Sequence, residues 1–489
     1  MKVSPSMRSE GLILSAHAGG GGRRVAAGSR FGLVFAVLLL AGLLVLGFQW
    51  SHVIAVVLAA AIGLGLSLVV PNAGFGLLIM VLPWAGVASS TDAAPFWFDY
   101  LVVVALVGGA FARVVVSGRL VGWRRLIVLA VLLFAFAILV LLGELNNDFR
   151  GIGRYLIFVL AIASFFASYS MVSGSMIRSS ELVIAAAVGL VVLVLLSIVE
   201  FGINPYRLDL FGNVRPIANQ AALVLFGILV ALAVTKSEGM NRELRGGRGW
   251  LLVYVISLLL LASVVFATVS RGVLVAILVA ALVFVLAESG RKRFLSILVL
   301  AGAGMGLVWM LPHIVDMGFL QSRVQDRVSD PTADPRFLIW KDWLGVFLND
   351  SSWGLVGIGV GARHHPELDM YAHSLFLDSL VGAGVVGAVL FGVFLLVVGR
   401  TVMRSRVPGL GAVFVGLLTL FFSHGQLISV TFWLVMGVVF AVAHNGCSRT
   451  TGGVGGASRE TGFRSDMLAG AFGSSGPALS ISKPSCRRI

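Results

Sequence analysis

The sequence predicts an all-α fold: a polytopic bundle of membrane-spanning helices with one large extracytoplasmic loop. Of 489 residues, 58% are hydrophobic and only 12% are charged, where a soluble domain carries roughly a quarter charged residues. A mean hydropathy of +1.01 is equally foreign to a disordered chain, which lacks apolar side chains. Apolar runs recur more than ten times along the chain, and about 20 such residues, rising ~1.5 Å each, cross a bilayer core. The two cysteines, Cys447 and Cys486, both lie near the C-terminal end. They cannot staple the fold, and they have no metal-ligand spacing. The net charge of +14 would suggest nucleic acid in a soluble protein. In a membrane protein the sidedness of charge matters more than its sum, so no nucleic-acid partner is expected.

Apolar segments fall at 31–48, 53–70, 73–88, 99–116, 126–143, 155–171, 181–200, 217–234, 250–268, 272–287, 294–311, 374–399, 409–424 and 427–443. Segment 73–88 is short and follows Pro71, so it is either a crossing, a re-entrant piece or part of its neighbour. The count is therefore 12 to 14 spans. With the N-terminus in the cytoplasm, 26 of the 36 Lys and Arg residues fall on the cytoplasmic side and 15 of the 22 acidic residues fall outside. That is the bias that orients membrane proteins. The chain then divides into a basic cytoplasmic arm (1–30), a first part of the bundle (31–311), a large loop (312–373), the last spans (374–444) and a cytoplasmic tail (445–489). The arm is too long and basic, and lacks a small-residue cleavage site, for a secretory signal. The tail is Gly/Ser-rich and reads as disordered, its scattered arginines suited to anionic lipid.

A loop as long as 312–373 is usually functional in a compact protein. Asp334 can cap a helix whose first turn holds Pro335, and Phe337, Trp340, Leu344, Phe347 and Leu348 follow on one face at helical spacing. Such a helix either lies on the outer leaflet surface or packs on the bundle. Gly354-Leu355-Val356-Gly357-Ile358-Gly359-Val360-Gly361 comes next. No Lys-Ser or Lys-Thr follows it, which argues against a phosphate loop and for a tight backbone turn near a substrate. Tyr371-Ala372-His373-Ser374 then enters the next span. His373 sits at the expected outer boundary, where an imidazole can take a proton from an attacking hydroxyl or simply bond a loop carbonyl. His364 and His365 lack a metal pattern and read as a solvated loop.

Arginines collect on the expected outer side. Arg271, in Thr268-Val269-Ser270-Arg271-Gly272, lies between two apolar runs. An arginine costs about 2.5–3.5 kcal/mol at mid-helix and less near an interface, so it marks function by default. Arg215 stands at another helix mouth, with Asn219 behind it. Together with Arg150, Arg154 and Arg336, these guanidinium groups suit a pyrophosphate held through bidentate hydrogen bonds. The alternative is snorkelling to lipid phosphate.

At these residues the chain resembles the O-antigen ligase and O-antigen polymerase family of bacterial polytopic membrane glycosyltransferases, over roughly residues 200 to 400. Arg215 and Asn219 precede a span, the Ser270-Arg271-Gly272 turn follows, and then a large periplasmic loop. Within that loop come Arg336 to Trp340, Gly357 to Gly361, and His373 four residues before Leu377. The resemblance implies a cofactor-free, metal-independent transferase in surface polysaccharide biosynthesis (lipopolysaccharide or exopolysaccharide), in the bacterial inner membrane with both termini cytoplasmic. It implies a glycan donor on undecaprenyl pyrophosphate and a glycan or lipid acceptor, with membrane lipids and other polysaccharide-assembly proteins as partners. His373 and Arg271 would be catalytic. Arg215, Arg336, Arg154, Arg150, Asn219 and Trp340 would bind pyrophosphate or glycan. Two features depart from the family pattern. Ser374 stands where an Asn is common after the histidine, and Leu380 to Gly384 holds no acid. Asp378 either orients the imidazole or partners an arginine. A lipid-linked-glycan flippase or other transporter would instead place charges deep within spans, and an envelope-assembly scaffold would need neither His373 nor Arg271.

Overall fold

The computed structural model describes residues 52–69, 101–116, 123–146, 152–173, 271–287, 335–349, 354–360, 374–405, 407, 409–424 and 429–456. Among them every regular element is a helix: α1 (His52–Val69), α2 (Leu101–Val116), α3 (Trp123–Asn146), α4 (Ile152–Ser173), α5 (Arg271–Ala287), α6 (Pro335–Asn349), α7 (Leu375–Arg404), α8 (Leu410–His424) and α9 (Val430–Gly456). The segments expected at 31–48, 73–88, 181–200, 217–234, 250–268 and 294–311 lie outside the described residues.

Three described helices are long and apolar enough to cross a membrane: Leu126–Leu145, Ile152–Ser173 and Leu375–Arg404. Their outward residues are apolar as well, among them Phe134, Leu156 and Leu396. A water-soluble bundle would turn polar faces outward. Hydrocarbon accepts these side chains and demands that every backbone amide be satisfied within the protein. The chain is therefore that of an integral membrane protein.

Helices α3, α4, α7 and α9 form the centre. Phe136 stacks on Phe391 at 5.6 Å, and Trp433 meets Phe158 edge-on at 6.2 Å and Phe394 at 5.4 Å. Small residues bring the most extensively packed pair, α4 and α9, close together. A Cβ on Gly437 would strike Ser168 Oγ and the Phe165 carbonyl, which is the close approach that small residues permit in membranes. Ser164 and Ser168 turn their hydroxyls onto the Ala161 and Phe165 carbonyls of their own helix, at 2.6 and 3.0 Å. Their hydrogen bonds are thereby met without water.

Contacts fix the relative directions of the helices. Gly143 of α3 faces Gly382 of α7, as Phe136 faces Phe391, so these two run antiparallel. Phe158 meets Trp433 and Tyr169 meets His444, so α4 and α9 run parallel. The α5–α8 pair packs along its length with Phe284 against Gly409, which makes it antiparallel. The first residue of α5 and the last turn of α8 therefore share one end.

Candidate functional site

That end is built around a break in α7. Residues 374–399 form one apolar run longer than a bilayer needs, and Gly384 interrupts the helix there with φ 68°. In an unbroken helix the Val385 amide would donate to the Val381 carbonyl. Here Val385 N–H donates to Gly354 O at 3.0 Å, while the Val381 and Gly382 carbonyls accept from Ile358 and Gly359 N–H, each at 2.9 Å. The 354–360 loop thus satisfies the groups the break exposes, as a low-dielectric interior requires. The Ile358 and Gly359 amides are consumed in doing so and are not offered to a phosphate. The tight turn expected of this loop is present, with Gly357 and Gly359 both at φ 77°. What its backbone approaches is α7.

A second layer holds the loop. Trp343 and Phe347 of α6 are buried with Ile358 and Val381, and Ile339, Leu377 and Leu380 pack at the edge, a small core separate from the central one. The helix begins at Pro335, where the sequence places it, but its faces divide differently. Leu344 and Leu348, expected on the same face as Phe347, are exposed together with Leu338, while Trp343 is inside. The docked loop and the first half of α7 offer apolar surface on the Trp343 side, and that contact sets the helix rotation. Trp340 lies edge-on to Phe422 at 6.0 Å, and Phe422 meets Phe376 at 5.4 Å. These rings join α6, α8 and the start of α7.

The expected site residues distribute as follows. Trp340 belongs to this aromatic junction. Arg154 is buried in the first turn of α4, 4% exposed. Arg271 opens α5, at the end where α8 finishes beside α6 and α7, and Arg336 is the second residue of α6. His373 lies outside the described residues, immediately before Ser374, as do Arg150, Arg215, Asn219, His364 and His365. Ser374 is buried in an extended conformation at the N-cap position, its hydroxyl not capping the helix, and its carbonyl accepts from Asp378 N–H at 2.9 Å. Asp378, half-buried, is the acidic residue in the first turn of α7, where the helix dipole favours negative charge.

Two features escape a reading of the sequence. The break at Gly384 was signalled only by the excess length of its run and by Gly382-Ala383-Gly384 inside it. Glu144 looks like an ordinary residue of a turn, one position beyond the apolar segment 126–143. Helix α3 continues through it to Asn146, and its side chain is fully buried. Glu144 and Arg154 are the buried charged side chains among the described residues, and each is engaged by further contacts.

A comparison with curated proteins gives no match. Residues 256–392, the stretch that contains α5, α6, the docked loop and the broken part of α7, match the family model described as O-antigen ligase.

Proposed function

We propose that this protein is an integral-membrane glycosyltransferase that moves an oligosaccharide or polysaccharide from undecaprenyl pyrophosphate to a hydroxyl acceptor on the periplasmic face. The observation that carries the reading is the O-antigen ligase match, which falls on the elements that converge at one end of the bundle. In this reading His373 stands at the entrance to α7, and Arg271 opens α5 at the same end.

The chemistry asked of these residues is a displacement at the anomeric carbon. His373 takes the proton of the acceptor hydroxyl as its oxygen bonds to that carbon. The bond from the anomeric carbon to the phosphate oxygen breaks, and undecaprenyl pyrophosphate leaves with the electron pair. Negative charge grows on the leaving group, and preorganised arginines stabilise it more than they stabilise the bound donor. Arg271, with Arg215 and Arg336, suits that role, because a planar guanidinium bonds phosphate oxygens in pairs. No metal is needed for this step. The exposed leucines of α6, Leu338, Leu344 and Leu348, suit the outer-leaflet boundary, where a polyprenyl chain would approach.

His373→Ala tests the reading. Purified protein in liposomes, given undecaprenyl-pyrophosphate-linked repeat units with and without a core acceptor, should transfer glycan. The variant should lose transfer by about 10²-fold or more at equal protein abundance. Transfer retained by the variant would remove His373 as the base. A product ladder marks a polymerase, and a single added glycan marks a ligase.

A further inference from the structure

The geometry points to a folded-back start of α7: residues 375–383 turn at Gly384 toward the middle of their own helix, so that α7 begins inside the bundle and 385–404 alone forms its long arm. The fold-back stands apart from the functional reading above; only its bearing on substrates rests on that reading.

Phe376 lies eight residues before Gly384, and Phe391 lies seven after it. The 15-residue step between them spans about 22 Å in an unbroken helix. A kink of a few tens of degrees shortens that span by only about an ångström. Yet the two ring centroids are 6.3 Å apart. Closing the gap takes a bend of roughly a right angle or more. The backbone supplies it at Gly384, with φ 68° and ψ −173°. A Cβ on Gly387 would also overlap the Cβ of Ala383, whereas Cβ atoms four residues apart in a regular helix stand about 5–6 Å from each other.

Helix α8 gives an independent ruler. Its Phe414 lies against Gly399 and its Gly411 against Met403, so it runs antiparallel to 385–404. Continued, that register sets Phe422 level with Phe391. Phe376 meets Phe422 at 5.4 Å. Two neighbours thus place the first turn of α7 at the level of Phe391, about 10 Å past the Gly384 turn. The loop and α6 hold the short arm there: the Ile358 and Gly359 amides donate to the Val381 and Gly382 carbonyls, and Trp343 and Phe347 pack beside Val381. The long arm does not need the surplus, since its 20 residues rise about 30 Å, the thickness of a bilayer core. Ser374 and Leu375, where the short arm begins, are 1% and 0% exposed. A helix start carries amides with no partner in the helix itself. In the functional reading, substrates that meet the start of α7 therefore do so within the bundle and not on its surface.

The test is a pair of nitroxide-to-nitroxide distances, read by pulsed electron paramagnetic resonance on the full chain in liposomes, with Cys447 and Cys486 replaced by Ser. One protein carries Phe376→Cys with Leu396→Cys, the other Leu355→Cys with Leu396→Cys. Leu355 and Leu396 are 68% and 71% exposed, and the Leu355 carbonyl lies against Gly384, so that position marks the turn. The turn and Leu396 should be about 18 Å apart. A straight α7 separates 376 from 396 by about 30 Å; the fold-back brings them to about 12 Å, a short step along the axis plus one helix-to-helix spacing. The 376–396 distance should therefore be the shorter of the two. A 376–396 distance equal to or longer than the 355–396 distance would overturn the inference. Leu377→Cys takes the place of Phe376→Cys if that variant does not accumulate, with the same order expected. The distances are read without substrate, so a parent protein that transfers nothing defeats the functional reading alone.

Discussion

At the scale of single residues, the sharpest claim concerns guanidinium geometry. Arg271 begins α5, directly after Thr268-Val269-Ser270 in the sequence and before a run of sixteen apolar or small residues. If its work is to grip a diphosphate through two parallel N–H bonds, a point charge on a flexible stem cannot replace it. Arg271→Lys should then lower transfer by about 10–100-fold, the loss of one charge-assisted bond in the transition state, while the protein accumulates normally. Full activity would show that positive charge alone suffices. Arg154 is buried within α4, so its charge acts on neighbouring protein groups or on a ligand that reaches the interior.

At the scale of elements, the broken α7 and its docked loop behave as one device. Two halves of a helix, a glycine turn and α6 share three backbone hydrogen bonds and a small apolar core. The positive φ of Gly384 is required for the exchange of partners between Val381, Val385 and Gly354. A Cβ there would also collide with the Leu355 carbonyl and Val356 N. Gly384→Ala should cost about 1–3 kcal/mol from backbone strain alone, with the steric overlap added to it. The expected reading is a lowered thermal midpoint in detergent together with reduced transfer. Gly392, farther along the same helix, meets nothing within 4 Å of a built Cβ. Gly392→Ala is the control that should leave both measurements near the parent values.

At the scale of the whole molecule, helix direction speaks to the number of crossings. Gly63 faces Leu106 and Gly109 faces Ser67, so α1 and α2 run parallel. Val69 and Leu101 then lie about 16 Å apart along the shared axis, and two parallel crossings need one return between them. If α1 and α2 both cross, the prediction is a full crossing at 73–88 and not a re-entrant piece. Asn72→Cys and Ala94→Cys, each in the cysteine-free chain, should be labelled from opposite sides of the membrane; labelling from one side would refute the crossing. The sequence alone determined the helical membrane class, the ends of most described helices to within a few residues, and the start of α6 at Pro335. Those follow from local patterning: apolar run length and the placement of a proline are properties of neighbouring residues. The break in α7, the rotation of α6 and the burial of Glu144 were decided only by tertiary structure. Each depends on which surfaces meet between separate stretches of chain, as when Val385 meets Gly354 or Glu144 meets Gly359. A glycine or a carboxylate carries no local sign of the backbone it will lie against.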